Sequence, residues 1–219
     1  PQEDGLQFTF RIRHDARWSN DQPVTAFDFT RAAKTFLLGG SQFVPLFNNV
    51  EGAAEFIELG DPNADLTGFR AVSDDSLVVR LKVPQRNFLH LLTLPQLSPA
   101  SDSPRIAGFG DSQVSNGAYV IESEDDFRIH LVANEFYWRG KPLMRQIDLD
   151  LIDGPQERFD GYVDGTLDIA EVRLKPGTIA DDIQDEYVSG LEDGTIGLIF
   201  NLETAPFDNM QFRQAIASS

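Results

Sequence analysis

The 219-residue chain is 41% hydrophobic and carries a formal charge of −17, with a pI near 4.4. That apolar share supports one large core or two smaller ones and argues against a disordered chain. The charge, with no concentration of bases beyond Arg11, Arg13 and Arg17, argues against nucleic acid and anionic membrane surfaces as partners. The imbalance is uneven: 12 acids accompany 9 bases in residues 1–100, and 23 accompany 9 afterwards. Without cysteine there is no disulfide, thiolate nucleophile or Cys-ligated metal, which fits a reducing cytoplasm and many secreted bacterial proteins alike. No run reaches the roughly 18 apolar residues of a membrane span, and "PQEDG" is not a signal peptide.

In "LQFTFRIR", Leu6, Phe8, Phe10 and Ile12 alternate with Gln7, Thr9, Arg11 and Arg13, the pattern of a half-buried strand. Turn chemistry from Ser19 to Pro23 follows. Thr25 then caps a predicted helix over 25–38, with Asp28 in the first turn favourable to the helix dipole and Gly39-Gly40 closing it. After the loop "SQFVPLFNNV", "EGAAEFIELG" predicts a short helix ending at Gly60, and "GFRAVSDDSLVVRLKVP" a hairpin turning at Asp74-Asp75. "NFLHLLTLPQL" predicts a short apolar helix. The Ser- and Pro-rich crossing "SPASDSPRIAGFGDSQVSNG" marks a subdomain boundary. "AYVIES", "FRIHLVAN" and "QIDLDLI" then alternate like consecutive strands of a second sheet. Residues 155–164 suit a helix stopped by Gly165, "TLDIAEV" a strand, "PGTIADDIQD" a short helix beginning near Pro176, and "TIGLIFN" another strand. The whole reads as mixed α/β, divided into a small α/β subdomain (1–113), a central part (114–205) and the start of a crossing (206–219). The helix begun in "DNMQFRQAIASS", with Phe212, Ala215 and Ile216 at helical spacing, and the opening on Pro both read as trimmed ends, so a fragment is expected.

Catalytic chemistry finds little support. His14, His90 and His130 fall in different predicted elements without metal-ligand spacing, so no metal is expected. Asp148 and Asp150 share one strand face but read as its solvated side, opposite Ile147 and Leu149. Phosphate-loop and nucleophile-elbow patterns are missing, and no cofactor is implied. Among the aromatics, Phe43 and Phe47 stand out: they follow the Gly-Gly break beside Pro45, outside any periodic run, where they line a groove or pack the loop. Trp18 and Trp138 flank turns and read as residues that seal edges.

The stretch "FTFRIRHDARWSNDQPVTAFDF" resembles the strand, Trp turn and helix start of bacterial extracellular solute-binding proteins of the peptide and nickel type. "VEGAAEFIELG", "LTGFRAVSDDSLVVRLKVPQRNFLHLLTLP", "SNGAYVIES", "NEFYWRGKPLMRQIDL", "GYVDGTLDIAE" and "FNLETAPFDNMQFRQAI" follow in that family's order, nearest its oligopeptide-binding branch. The resemblance implies a type II periplasmic-binding-protein-like lobe with an attached small subdomain, part of a two-lobe, non-enzymatic receptor that closes on a peptide or other small solute and hands it to ABC permease subunits. It implies a periplasmic or extracellular place, with any membrane association through the transporter or a lipid anchor outside this chain. The acid that grips a peptide's amine would lie in the second lobe, so this chain alone should bind weakly. Phe43 stands where oligopeptide binders place a cleft-lining tyrosine, here without the hydroxyl. Glu171 and Val172, at the end of "DIAEV", would also face the cleft, with an acid where relatives often carry amides. Asn20-Asp21 replaces the family's usual Asp-Gly turn. Related domains also serve in cytoplasmic transcriptional regulators, and a hydrolase using the abundant acids is the remaining alternative; nickel complexes, sugars and haem are alternative ligands.

Overall fold

The computed structural model describes residues 5–102, 114–172, 186, 188 and 202–217. The chain forms two compact units, divided after Gly154. The first begins with β1 (Gln7–Arg11), whose register places Phe8 opposite Val79 and Phe10 opposite Leu77 of β3 (Ser76–Arg80). β3 also pairs with β2 (Phe69–Ser73), giving an antiparallel sheet in the order β1-β3-β2. The expected alternation of β1 holds: Phe8 is buried while Thr9 and Arg11 are exposed.

Helix α1 (Ala26–Leu38) lays Ala33, Phe36 and Leu37 against this sheet. It ends at Gly39, as expected. A single 3-10 turn, Val44–Phe47, precedes α2 (Ala53–Leu59), which stops at Gly60 in the left-handed region that glycine enters without Cβ strain. α3 (Phe88–Leu91) supplies Phe88, which touches Phe8 and Phe47 at ring-centroid separations of 5.3 and 6.2 Å. Together with Phe56, Leu66 and Leu81 these side chains make the principal core. Gly68 lets β2's entry cross the backbone of Glu51: a Cβ there would sit 2.3 Å from the Glu51 carbonyl oxygen. In the predicted turn, Asp21 takes a φ of 66°, a conformation that Asp tolerates better than most side chains.

The three alternating segments after residue 114 form the expected second sheet, β4 (Tyr119–Glu124), β5 (Arg128–Ala133) and β6 (Gln146–Asp150), antiparallel and in chain order. Ile129 and Leu131 share a face with Leu149 and Ile147, and Arg128 and His130 share the other with Asp150 and Asp148. The Ser- and Pro-rich crossing falls partly outside the described residues, since 103–113 are not among them.

In the second unit, α4 (Pro155–Val163) ends ahead of Gly165, which has a φ of 79°. α5 (Met210–Ala217) confirms the helix begun in "DNMQFRQAIASS", and Arg213 Nη1 donates to the Phe207 carbonyl at 2.6 Å. One expectation fails. The described stretch 166–172, "TLDIAEV", is not a strand: no described segment pairs with it, and Ile169 is 88% exposed. The helix expected at "PGTIADDIQD" and the strand at "TIGLIFN" lie outside the described residues.

Candidate functional site

Phe43 and Phe47 are brought to one 3-10 turn, where they do different things. Phe43 occupies the position before the turn, accepts the Leu46 N–H on its carbonyl at 3.1 Å, and keeps a half-exposed ring that rests on the core's edge. Beside it Leu46 is 46% exposed. Phe47 points inward, 3% exposed, with its ring edge-on to Phe36 at 5.1 Å. Phe43 and Leu46 therefore offer an apolar surface backed by a rigid aromatic core, with Phe47 in the backing.

Glu171 and Val172 belong to the second unit. Glu171 is exposed and Val172 half-buried, on the irregular stretch that follows the Gly165 turn. That stretch begins with a defined corner: Leu167 N–H donates to the Gly161 carbonyl at 2.9 Å and Thr166 N–H to Asp164 Oδ1 at 3.0 Å. Among the described residues, the Glu171 carboxylate has no ion-pair partner.

Two polar clusters went unread in the sequence. Asp28 is not a surface charge at a helix start but a buried hub, 6% exposed. Its Oδ2 accepts the Thr25 N–H at 2.8 Å and the Trp18 Nε1–H at 3.3 Å, and its Oδ1 meets Arg31 Nη1 at 2.8 Å. Arg31 also donates to the Ala100 carbonyl. Trp18, Phe27, Asp28, Arg31 and Asp102 line a cleft of about 470 Å³ beside this hub. Nothing in residue spacing announces the arrangement, because Trp18 reaches Asp28 only after the 18–22 turn folds back, with Trp18 N–H on the Gln22 carbonyl at 2.8 Å.

The second cluster is the charged face of β4–β6. His130 Nδ1 lies 2.6 Å from Asp148 Oδ1, its Nε2 lies 3.5 Å from Glu122, and Arg128 Nε donates to Asp150 at 2.5 Å. Here a signal was available: Arg128 and His130 alternate on one strand as Asp148 and Asp150 do on the next. The His130 hydrogen bond holds the Asp148 carboxyl below its usual range. With both ring nitrogens turned to carboxylates, Glu122 on β4 and Asp148 on β6, the imidazole ties the three strands together. Among the described residues no group of His, Asp and Glu is placed to hold a metal, and no helix is long and apolar enough to cross a membrane.

Comparison with known proteins gives the arrangement its setting. The sequence profile described as "Bacterial extracellular solute-binding proteins, family 5 Middle" matches residues 1–219. The oligopeptide-binding protein OppA of Bacillus subtilis is 30% identical, covering 99% of this chain and 42% of its own length. The dipeptide-binding protein DppE of the same organism is 28% identical, covering 98% and 41%. Among solved structures, Haemophilus influenzae OppA in complex with RPPGFSPFR superposes with a TM-score of 0.76 at 26% identity, over 98% of this chain and 44% of that one. The chain thus spans about two fifths of the length of the curated relatives it matches.

Proposed function

Since this chain belongs to the bacterial extracellular solute-binding proteins of family 5, we propose that it is the part of an oligopeptide receptor that supplies one wall of the ligand cleft. The full-length protein captures a peptide between two lobes and delivers it to the permease of an ABC importer, outside the cytoplasmic membrane. What supports this reading above all is the match along the whole chain to a family of binding proteins, with peptide-binding relatives foremost.

Mechanistically, such a wall needs an apolar surface that does not collapse when empty and polar groups that tolerate varied side chains. Phe43, backed by Phe47 and Phe36, meets the first need. Its lack of a hydroxyl makes it a packing surface rather than a hydrogen-bond donor. Glu171 and Val172 form a second contact region, where an exposed carboxylate favours ligands carrying a positive charge.

Calorimetric titration of the full-length protein with a mixed tri- to pentapeptide library tests the reading. Peptide binding is expected, weakened about tenfold by Phe43→Ala, and shifted away from Lys- and Arg-containing peptides by Glu171→Gln. Binding of nickel complexes or oligosaccharides with silence towards peptides overturns the ligand class.

A further inference from the structure

The sheets β1-β3-β2 and β4-β5-β6 share no strand, yet they meet along one seam. At its centre is the Ser115 carbonyl, which accepts the Ser19 N–H from the first sheet's side at 2.8 Å and Asn134 Nδ2 from the second's at 3.3 Å. Ser115 N–H returns to Ser19 Oγ at 3.2 Å. Asn134 is 2% exposed, and its amide is saturated: Nδ2 also donates to the Gly117 carbonyl at 2.8 Å, and Oδ1 accepts the Phe136 N–H at 2.9 Å. Val114 packs against the small cluster of Ala16, Trp18 and Val24. Alongside, Asp15 holds Arg13 in a two-pronged pair at 2.6 and 3.1 Å, and the guanidinium carbon lies 3.7 Å from the Trp138 ring centroid. Arg139 approaches the same ring at 4.5 Å.

We propose that this seam is a clasp that makes the two sheets open as one body, with Asn134 as its pin and the Arg13–Trp138 stack as its outer brace. Two chemistries cross it directly, hydrogen bonds between Ser19 and Ser115 and a cation over an indole face, while the buried Asn134 amide anchors the shared Ser115 carbonyl from the second sheet's side. Each spans residues distant in the chain, so opening at one side removes partners from the other. A flexible connector would have its polar groups in water. Here the connector's Ser115 carbonyl is engaged from both directions, and its Gly117 carbonyl is held by Asn134. Asp15 fixes the plane of Arg13, so little side-chain freedom is lost when it stacks.

Hydrogen exchange measured by mass spectrometry on the full-length protein tests the clasp without reference to any ligand. Asn134→Ala is expected to speed exchange at least tenfold in both 114–118 and 15–19 while leaving the interior of β3 unchanged. Acceleration confined to 134–140 overturns the proposal. Should Asn134→Ala not fold, Trp138→Leu decides, since its ring is only half-buried: a several-fold acceleration at 15–19 supports the clasp, and wild-type exchange there refutes it. Arg13→Gln combined with Trp138→Leu should cost no more protection than Trp138→Leu alone; additive losses would mean that the two residues do not act through one contact.

Discussion

Replacing Asp28 by Ala removes a carboxylate that accepts hydrogen bonds from three residues, Trp18, Thr25 and Arg31, with unequal consequences. The Trp18 indole N–H, in a side chain 4% exposed, loses its acceptor where water cannot replace it, a cost of about 1–3 kcal/mol. The Thr25 amide loses the bond that begins α1, worth about 1 kcal/mol. Arg31 is a third exposed, keeps the Ala100 carbonyl and Asp102, and loses at most about 1 kcal/mol. The sum is about 3 kcal/mol, equivalent to a fall in Tm of roughly 6–12 °C for a chain of this size. Urea unfolding followed by far-UV circular dichroism measures it, with Arg31→Ala as the comparison. The reasoning fails if Asp28→Ala costs under about 1 kcal/mol, or if Arg31→Ala costs as much, because the arginine's ion pair would then outweigh the hydrogen bonds to Trp18 and Thr25.

Gly68→Ala should destabilise by about 3 kcal/mol or more, since the new Cβ meets the Glu51 backbone at 2.3 Å, where no side chain can move aside; a thermal melt within 2 °C of wild type would refute the contact. The Asp148 carboxyl has a folded pKa below its ordinary value, so its pairing with His130 stabilises the fold at pH values above the ordinary carboxylate range and is lost as pH falls through the lowered value. Asp148→Asn should therefore be less stable than wild type at neutral pH, the gap closing on acidification. Denaturant titrations across pH 2–7 check this, and a gap that widens in acid contradicts it.

Local rules reached far into the first unit. β1 and α1 could be read because alternation, turn residues and a capping acid agree within two dozen residues, and the Arg128, His130, Asp148 and Asp150 pattern held the second sheet's register in plain view. The failures share one cause, dependence on partners remote in sequence. "TLDIAEV" has a strand's alternation without a described neighbour, and alternation says nothing about pairing. Phe43 and Phe47 looked equivalent beside Pro45; Phe36 and Phe88 decide which one turns inward. Asp28 was legible as a helix-start acid but not as the acceptor for Trp18, which depends on how the intervening turn folds.

The pairing of β1 with β3 also sets an order of events during synthesis. Gln7–Arg11 leaves the ribosome early, but its hydrogen-bonding partners Ser76–Arg80 do not yet exist, and α3, whose Phe88 covers Phe8, comes later still. At bacterial translation speeds the wait is on the order of ten seconds. Throughout it the apolar stripe of Phe8 and Phe10 stays uncovered, a natural binding target for a holding chaperone.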